Sequence, residues 1–427
     1  MTSDPHRIIP GGAHTYSKGD DQFPSNAPRF LERGEGAHVW DDHDRRFLDW
    51  TMGLRTMTLG YGAQAVNAAA IAQIARGANF GRPSRLEMDA AGDLLDLIPA
   101  GDMVKFAKNG SSATTAAVKL ARAHTGRDLV ALCSDHPFFS YDDWAIAVTR
   151  CDNGIPRAVK DLTLTFRYND LAGVERLFEA HPGGIAALIM EAATTDEPRD
   201  GFLHGVEALC RAHGAVFILD EMITGFRWHL NGAQTLFGVT PDISTFGKGI
   251  ANGFSVAAMV GKRAIMELGG IEHDQKRTFL LSTTHGAENH ALAAMRAALR
   301  IYRDEPVVAH LWRIGGLLID GLNQAAGEAG VGMAFRAGGF PCSPVVTCMD
   351  RDGLVSAPFR TLWLQEMVRR GVLANYFAPS YAHTATEVEI TVAAARESLR
   401  VYARALQDGI DGFLEGPPVK PVFRPYN

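Results

Sequence analysis

Lys248 stands between two glycines and among apolar side chains in the segment FGKGIANGF, 246–254. An amine withdrawn from water has a lowered pKa and is a nucleophile at neutral pH, which suits it to form a Schiff base with an aldehyde. A lysine in a loop is more often a solvated charge, so partner groups must be sought. Asp220 and Glu221 follow the apolar run AVFIL, 215–219. A carboxylate at the end of a buried strand either caps a helix or faces a cation, such as a protonated ring nitrogen. Gly110, Ser111 and Ser112 follow the run MVKFA, 103–107, and open a helix-length segment. Free N–H groups at such a start hold anions, while a serine there also serves as a plain helix cap. Thr283 and Thr284, in FLLSTTHGAE (279–288), precede a long helical pattern and admit the same two readings. Glu191 ends the run IAALIM, 185–190, as a second strand-end acid, with a cap or loop charge as the plainer alternative.

These residues need a scaffold that brings strand ends together. The runs 103–107, 129–133, 185–190, 215–219 and 255–260 have the length and apolar content of buried strands. Helical patterns at 111–124, 170–181 and 203–213 lie between them. Such alternation predicts an α/β fold with a mostly parallel sheet covered on both faces, and ligands of such sheets collect at the carboxyl ends of the strands. Earlier in the chain, 38–41 and 46–50 bracket an acidic turn and predict a hairpin. Later, helices are expected at 287–303, 307–329, 356–371 and 386–407 and a strand at 344–348, which reads as a separate α+β lobe. The Pro-containing tail 413–427 reads as an extended arm. The expected division is an N-terminal segment 1–58 that joins the small domain and a dimer contact, a large domain 59–308, and a C-terminal small domain 309–427.

Composition excludes several classes. Hydrophobic residues are 46% and charged residues 21% of the chain, as in ordinary globular proteins. The net charge of −6, without a basic run, argues against a nucleic-acid partner. No apolar stretch is long enough to span a bilayer, and MTSDPHRIIPGGAH lacks the basic start and apolar core of a signal peptide. The five cysteines are scattered and form no CxxC pair, so neither a disulfide framework nor a zinc site is expected. A reducing cytoplasm is the expected location.

The motifs together resemble the class III (subgroup II) aminotransferases, most closely their glutamate-1-semialdehyde aminomutase branch. The resemblance is carried by PGGAHTYSKG (10–19), FLERGEGAHVWDDHDRRFLDW (30–50), KNGSSATTAAVKLARAHTGRD (108–128), ILDEMITGFR (218–227), DISTFGKGIANGFSVAAMVGKR (242–263) and AHTATEVEIT (382–391). It implies a fold type I enzyme that uses pyridoxal 5'-phosphate (PLP) to exchange an amino group between amine and carbonyl substrates. Lys248 would hold the cofactor and move the proton, and Asp220 would bind the ring nitrogen. Met222 would lie against one ring face, where the family usually has valine. Gly110, Ser111 and Ser112 would hold the phosphate. Thr284, or Thr283, would reach the phosphate of a neighbouring subunit, which implies a homodimer. Glu191 would lie near the ring oxygen or the substrate amine.

Three departures bear on the substrate. Where the family shows Tyr-His-Gly, this chain has His136-Pro137-Phe138-Phe139. Phe138 is the expected ring stacker, with His136 and Phe139 as alternatives. The arginine that the aminomutases carry after PGG is replaced in HTYSKG, where Tyr16 and Lys18 stand nearby. The stretch NYFAPSYAHT lacks the acid of the aminomutase gating loop. The last two changes point away from glutamate 1-semialdehyde, and loss of the arginine points toward a carbonyl substrate without an α-carboxylate at that spot. The expected activity is intermolecular transamination. Isomerisation by an aminomutase or epimerase shares every motif and is the alternative.

Overall fold

A computed structural model describes residues 4–136 and 138–426. Its internal contacts divide the chain into two units. One comprises the residues up to Leu54, Thr58–Gly62 and the chain from Ala309; the other comprises Arg55–Met57 and Ala63–Val308. The division differs from the expected 1–58 and 59–308 at two places: Arg55–Met57 group with the large unit, and residues 59–62 group with the smaller one.

In the smaller unit, β1 (Leu31–Glu35), β2 (His38–Asp41) and β3 (Arg46–Asp49) form an antiparallel meander whose second turn is the acidic one read from the sequence. In the larger unit the strands are β4 (Met103–Ala107), β5 (Leu129–Cys133), β6 (Thr163–Phe166), β7 (Ile185–Glu191), β8 (Val216–Asp220), β9 (Ile243–Phe246) and β10 (Ala257–Gly261). They lie side by side in the order β4-β10-β9-β8-β7-β5-β6. Among the described residues only β10 runs against its neighbours, β4 and β9. Every residue of β7 and β8 is buried, which is why these strands read as unbroken apolar runs. The helix Gly110–Thr125 packs on this sheet through Ala113, Ala116, Ala117 and Ala121. Alanine at those positions lets the helix approach the strands closely. The core between them includes Leu120, Val130, Ile189, Ile218 and Met259.

The smaller unit is completed by the hairpin β11 (Phe335–Gly338) and β12 (Val345–Cys348), and by β13 (Val372–Leu373), which joins β3 in parallel. Its helices Ala357–Arg369 and Ala385–Asp408 enclose Trp50, Phe335, Trp363 and Tyr402. The Trp50 indole donates to Thr391 Oγ1 at 2.7 Å, so its burial leaves no orphaned N–H. No helix among the described residues is long and apolar enough to cross a membrane.

A sharp local feature follows β3. Met52, Gly53, Leu54 and Arg55 have φ of 44°, 56°, 62° and 70°, a full turn of left-handed helix. Left-handed conformation costs an L-residue about 1–2 kcal/mol. Asp49, fully buried, holds the entry to this turn. It accepts from the Thr51 amide at 2.8 Å, the Thr51 hydroxyl at 2.6 Å, the Met52 amide at 3.1 Å and the Tyr61 hydroxyl at 2.6 Å.

Gly315, within the helix Val307–Glu328, marks the tightest backbone approach in the smaller unit. A Cβ added there would lie 1.6 Å from the Pro341 carbonyl oxygen, a backbone atom with no side-chain freedom to retreat. Gly315→Ala is therefore expected to destabilise the protein by about 3 kcal/mol or more. Thermal unfolding measures this, and a Tm equal to the wild type would contradict the packing described.

Candidate active site

The carboxyl ends of the central strands converge on one edge of the large sheet. Glu191 of β7 is paired in register with Asp220 of β8, and Asp220 with Thr245 of β9. Directly paired residues of parallel strands point to the same face. Three polar side chains thus stand in a row across the buried centre of the sheet. The Gly-flanked loop carrying Lys248 follows directly from the end of β9.

Asp220 Oδ1 accepts from the Met222 amide at 2.9 Å and the Thr245 hydroxyl at 3.1 Å. The residues after it form a turn, not a helix, so it is not the helix cap that the sequence alone allowed. Burial raises its pKa, and the nearby Lys248 and these two donors work in the opposite sense. Lys248 has φ of 46°, a left-handed position that a lysine occupies only at a conformational cost. Burial lowers its amine pKa. Asp220 and Glu191 oppose that shift, and the positive charges of Arg55 and Arg227 add to it. A shift in that direction eases loss of the proton, which is what nucleophilic attack by an amine requires.

Glu191 behaves differently from its neighbour. Burial, reinforced by the negative charge of Asp220, pushes its carboxyl up to about 8. Its Oε2 has no protein partner. Two buried carboxyls side by side cannot both ionise, and Asp220 holds the hydrogen bonds that favour the charge. Glu191 is therefore the neutral acid of the pair. The sign of the pH effect follows. The folded protein keeps a proton on Glu191 that the unfolded chain loses above its ordinary value of 4.5. The contribution of Glu191 to stability is thus lost as pH rises from there toward about 8, and is flat outside that window. Glu191→Gln has no such proton, so its Tm advantage over the wild type is expected to widen between pH 5 and 8 in cofactor-free protein. A gap that stays constant with pH would refute the neutral assignment.

The helix start at Gly110 also resolves an ambiguity. Asn109 is the N-cap, its Oδ1 accepting from the Ser112 amide at 2.9 Å. The serines are inside the first turn and are not the caps. First-turn amides have no partner within their helix, so those of Gly110 and Ser111 are available to an anion. The Ser111 hydroxyl accepts from the Tyr141 amide at 3.1 Å, which fixes it beside them. Met222 lies against this turn. A Cβ on Gly110 would come within 2.9 Å of its sulfur, and one on Gly247 within 2.5 Å. Both glycines are needed for Met222 to lie where it does.

Glu221, adjacent to Asp220 in sequence, has a separate task. It is buried and accepts from the Thr224 hydroxyl and from the Ala233 and Gln234 amides, both at 2.9 Å. It therefore ties the loop 221–234 together. The aromatic candidates also separate. Phe139 is buried in the core beneath the helix 110–125, and Phe138 is 51% exposed. His136 is buried, and its Nδ1 accepts from the Glu191 amide at 3.1 Å. Burial lowers its pKa to about 4, so the ring is neutral with its proton on Nε2, a nitrogen with no protein partner. Thr283 and Thr284 are exposed and lie in a turn. The following helix begins at Asn289, later than expected, so these threonines are not its caps. Tyr16 and Lys18 are exposed on a short 3-10 turn of the smaller unit. Thr245 was not marked by the sequence. Its signal was available, since it lies one strand from Asp220 and three residues before the lysine.

Fold and site together define an enzyme of the lysine–carboxylate type that works through a bound carbonyl cofactor. A family model described as aminotransferase class-III matches residues 21–375. Glutamate-1-semialdehyde 2,1-aminomutase of Roseiflexus castenholzii is 32% identical over 94% of this chain and 96% of its own. The 3-aminobutyryl-CoA aminotransferase of Cloacimonas acidaminovorans is 31% identical over 94% and 96%. Among solved structures, the FumI protein of Sphingopyxis sp. MTA144 matches with a TM-score of 0.87 and 26% identity, covering 96% of this chain and 97% of that one. An omega-transaminase of Sphaerobacter thermophilus matches with a TM-score of 0.82 and 26% identity, over 94% and 96%. The chain belongs to the class III aminotransferase family. It is a PLP-dependent enzyme with the fold type I architecture expected from its motifs.

The residues present fit that cofactor. The Met222 cradle between two glycines, the anion-ready helix start and the unpartnered polar atoms of Glu191 and His136 are all on one strand-end edge. Buried polar atoms without protein partners are the groups that a polar ligand satisfies.

Proposed function

We propose that this enzyme is an intermolecular aminotransferase whose chemistry is centred on Lys248. PLP supplies a carbon that bonds to amines and a ring that withdraws electrons. Gly110, Ser111 and Ser112 hold its phosphate, and Asp220 keeps a proton on its ring nitrogen. Met222 covers one face. His136 is better placed than Phe138 for the other, because it is buried and anchored to the Glu191 amide. Lys248 takes the proton from the substrate carbon that bears the nitrogen and would return it to the carbon on the other side of that nitrogen. Its lowered pKa serves the removal, and the proton it then carries serves the return. Glu191, held neutral, donates a hydrogen bond to an oxygen or nitrogen beside it.

The observation that carries this reading is the row Glu191–Asp220–Thr245 with the Lys248 loop at the end of its last strand. A second observation favours transfer over isomerisation. The segment that would match the aminomutase gate has no acid and is fastened down within the smaller unit. Ala378 donates its amide to the Trp50 carbonyl at 2.8 Å, Tyr381 to that of Thr58 at 2.8 Å, and the His383 ring stacks on Trp50 at 3.9 Å. We further read the protein as a cytoplasmic homodimer in which Thr284 reaches the partner's cofactor. Its exposed position supports that role, and the five free cysteines suit a reducing compartment.

The test is a half-reaction panel. Holoenzyme mixed with single amines should lose the visible absorbance of the lysine-bound cofactor and regain it with a carbonyl acceptor. Complete turnover of one substrate without any acceptor would select isomerisation. A protein that stays colourless with added PLP would sink both.

A further inference from the structure

The tripeptide Arg55-Thr56-Met57 belongs to no motif that the sequence singled out. It groups with the large unit, while the residues on either side of it group with the smaller one. Its seat is the lysine loop. Met57 packs on Gly253, where an added Cβ would lie 2.6 Å from the Met57 sulfur. Gly253 has φ of 97°, so the loop is shaped to leave that room. Arg55 itself has φ of 70° and ends the left-handed turn. Three of the four residues in that turn, Met52, Leu54 and Arg55, carry a side chain and are strained there, and strain of this kind persists where function requires a particular placement. The guanidinium is close enough for its charge to act on both Lys248 and Glu191, lowering the pKa of each.

Within the large unit this puts an arginine on the segment seated against the lysine loop, with its charge acting on the reacting amine and on a neutral carboxyl. A guanidinium presents a planar fork of N–H donors that matches a carboxylate with two parallel hydrogen bonds. The neutral Glu191 can add an O–H donor next to it. The phosphate of the cofactor has its own seat at Gly110–Ser112, so a second anion near Lys248 would come from the substrate. A carboxylate, singly charged and flat, suits one arginine better than a phosphate does. The exposed Tyr16 and Lys18, which stand where the aminomutases have their arginine, are then not the principal recognition groups.

We propose that Arg55 is the specificity-determining residue of this enzyme and selects amines and carbonyl compounds that bear a carboxylate. This rests on the aminotransferase reading above and names its substrate class.

The test compares β-alanine with β-alaninamide, and 4-aminobutyrate with 4-aminobutanamide, in the half-reaction of wild-type, R55K and R55Q holoenzymes. The wild type should prefer the carboxylate member of at least one pair. That preference, as a ratio of kcat/KM values, should fall by roughly 10²-fold in R55Q and by less in R55K. A second arm needs no turnover. Propionate should shift the visible absorbance titration of the wild-type holoenzyme and leave that of R55Q unmoved. The midpoint of that titration should itself rise in R55Q, because a positive charge near Lys248 is gone. An unchanged preference in R55Q, or no preference in the wild type for either pair, would overturn the proposal. If no amine reacts with the wild type, the aminotransferase reading falls, and propionate alone decides: a shift lost in R55Q sustains Arg55 as a carboxylate site, and no shift overturns it.

Discussion

Lys248→Ala is expected to fold normally and to lose at least roughly 10⁴-fold in turnover, the upper end of what a positioned proton-transfer group contributes. Several features argue that the fold survives. The loop is held by backbone contacts such as the Ile250 amide on the Gly247 carbonyl at 3.1 Å, which the side chain does not supply. The left-handed φ of 46° is no worse for alanine than for lysine, since neither is glycine. Removing the amine also relieves the burial that lowers its pKa, so Tm should hold or rise. The loss in turnover has two parts. The covalent anchor for the cofactor is gone, and so is the group that moves the proton. Borohydride reduction followed by intact mass separates them from misfolding. The wild type should carry the cofactor covalently, whereas the variant should release it on denaturation. Substantial transamination by the variant would end the assignment of Lys248.

Asp220→Asn is expected to lower kcat by about 10²–10⁴-fold with little loss of fold. Both hydrogen bonds to Asp220, from the Met222 amide and the Thr245 hydroxyl, go to the same oxygen. An asparagine can offer its single carbonyl oxygen to both and place its amide where the second oxygen was. Shape and pairing are kept, and only the charge is removed. Breaking a buried charge pair from one side costs about 3–5 kcal/mol. At about 1.4 kcal/mol per factor of ten, that corresponds to the stated range if the ring nitrogen must be charged for reaction. The charge also acts on its neighbours. Without it, Glu191 loses a negative neighbour that raises its pKa, and Lys248 loses one that raises its own. Steady-state kinetics and the pH titration of the visible absorbance measure both effects. Activity within threefold of the wild type would show that Asp220 is not the group facing the ring.

Much of the scaffold was legible because burial leaves a local imprint. Residues 185–190 and 216–219 are apolar throughout because both faces of their strands are covered. The short β6 and β9 were not marked as strands. Four residues each, with threonines in both and a serine in β9, carry too little periodicity to stand out. The reversed direction of β10 was equally hidden, because apolar composition is the same for a strand read either way. Helix ends were shifted where the cap was not the residue with the stronger reputation. Asn109 caps the phosphate-loop helix although two serines follow it. The helix expected from 287 waits until Asn289, leaving Thr283 and Thr284 in a turn.

By itself the sequence determined that Asp220 ends an apolar run and that Lys248 stands between two glycines, within motifs that imply PLP chemistry. Those are local facts: residue type, neighbours and strand-length periodicity, all written in short windows of chain. The tertiary structure decided what the charges do. The register between β7 and β8 puts Glu191 beside Asp220, and burial reinforced by that pairing keeps one carboxyl neutral and leaves the charge on the other. The seating of residues 55–57 on the Lys248 loop brings Arg55 to the site from far back in the chain. Electrostatic interaction depends on distance in space and on exclusion of water. Neither quantity is carried by any short window of sequence, so the cofactor chemistry could be read before the fold, and the selectivity only after it.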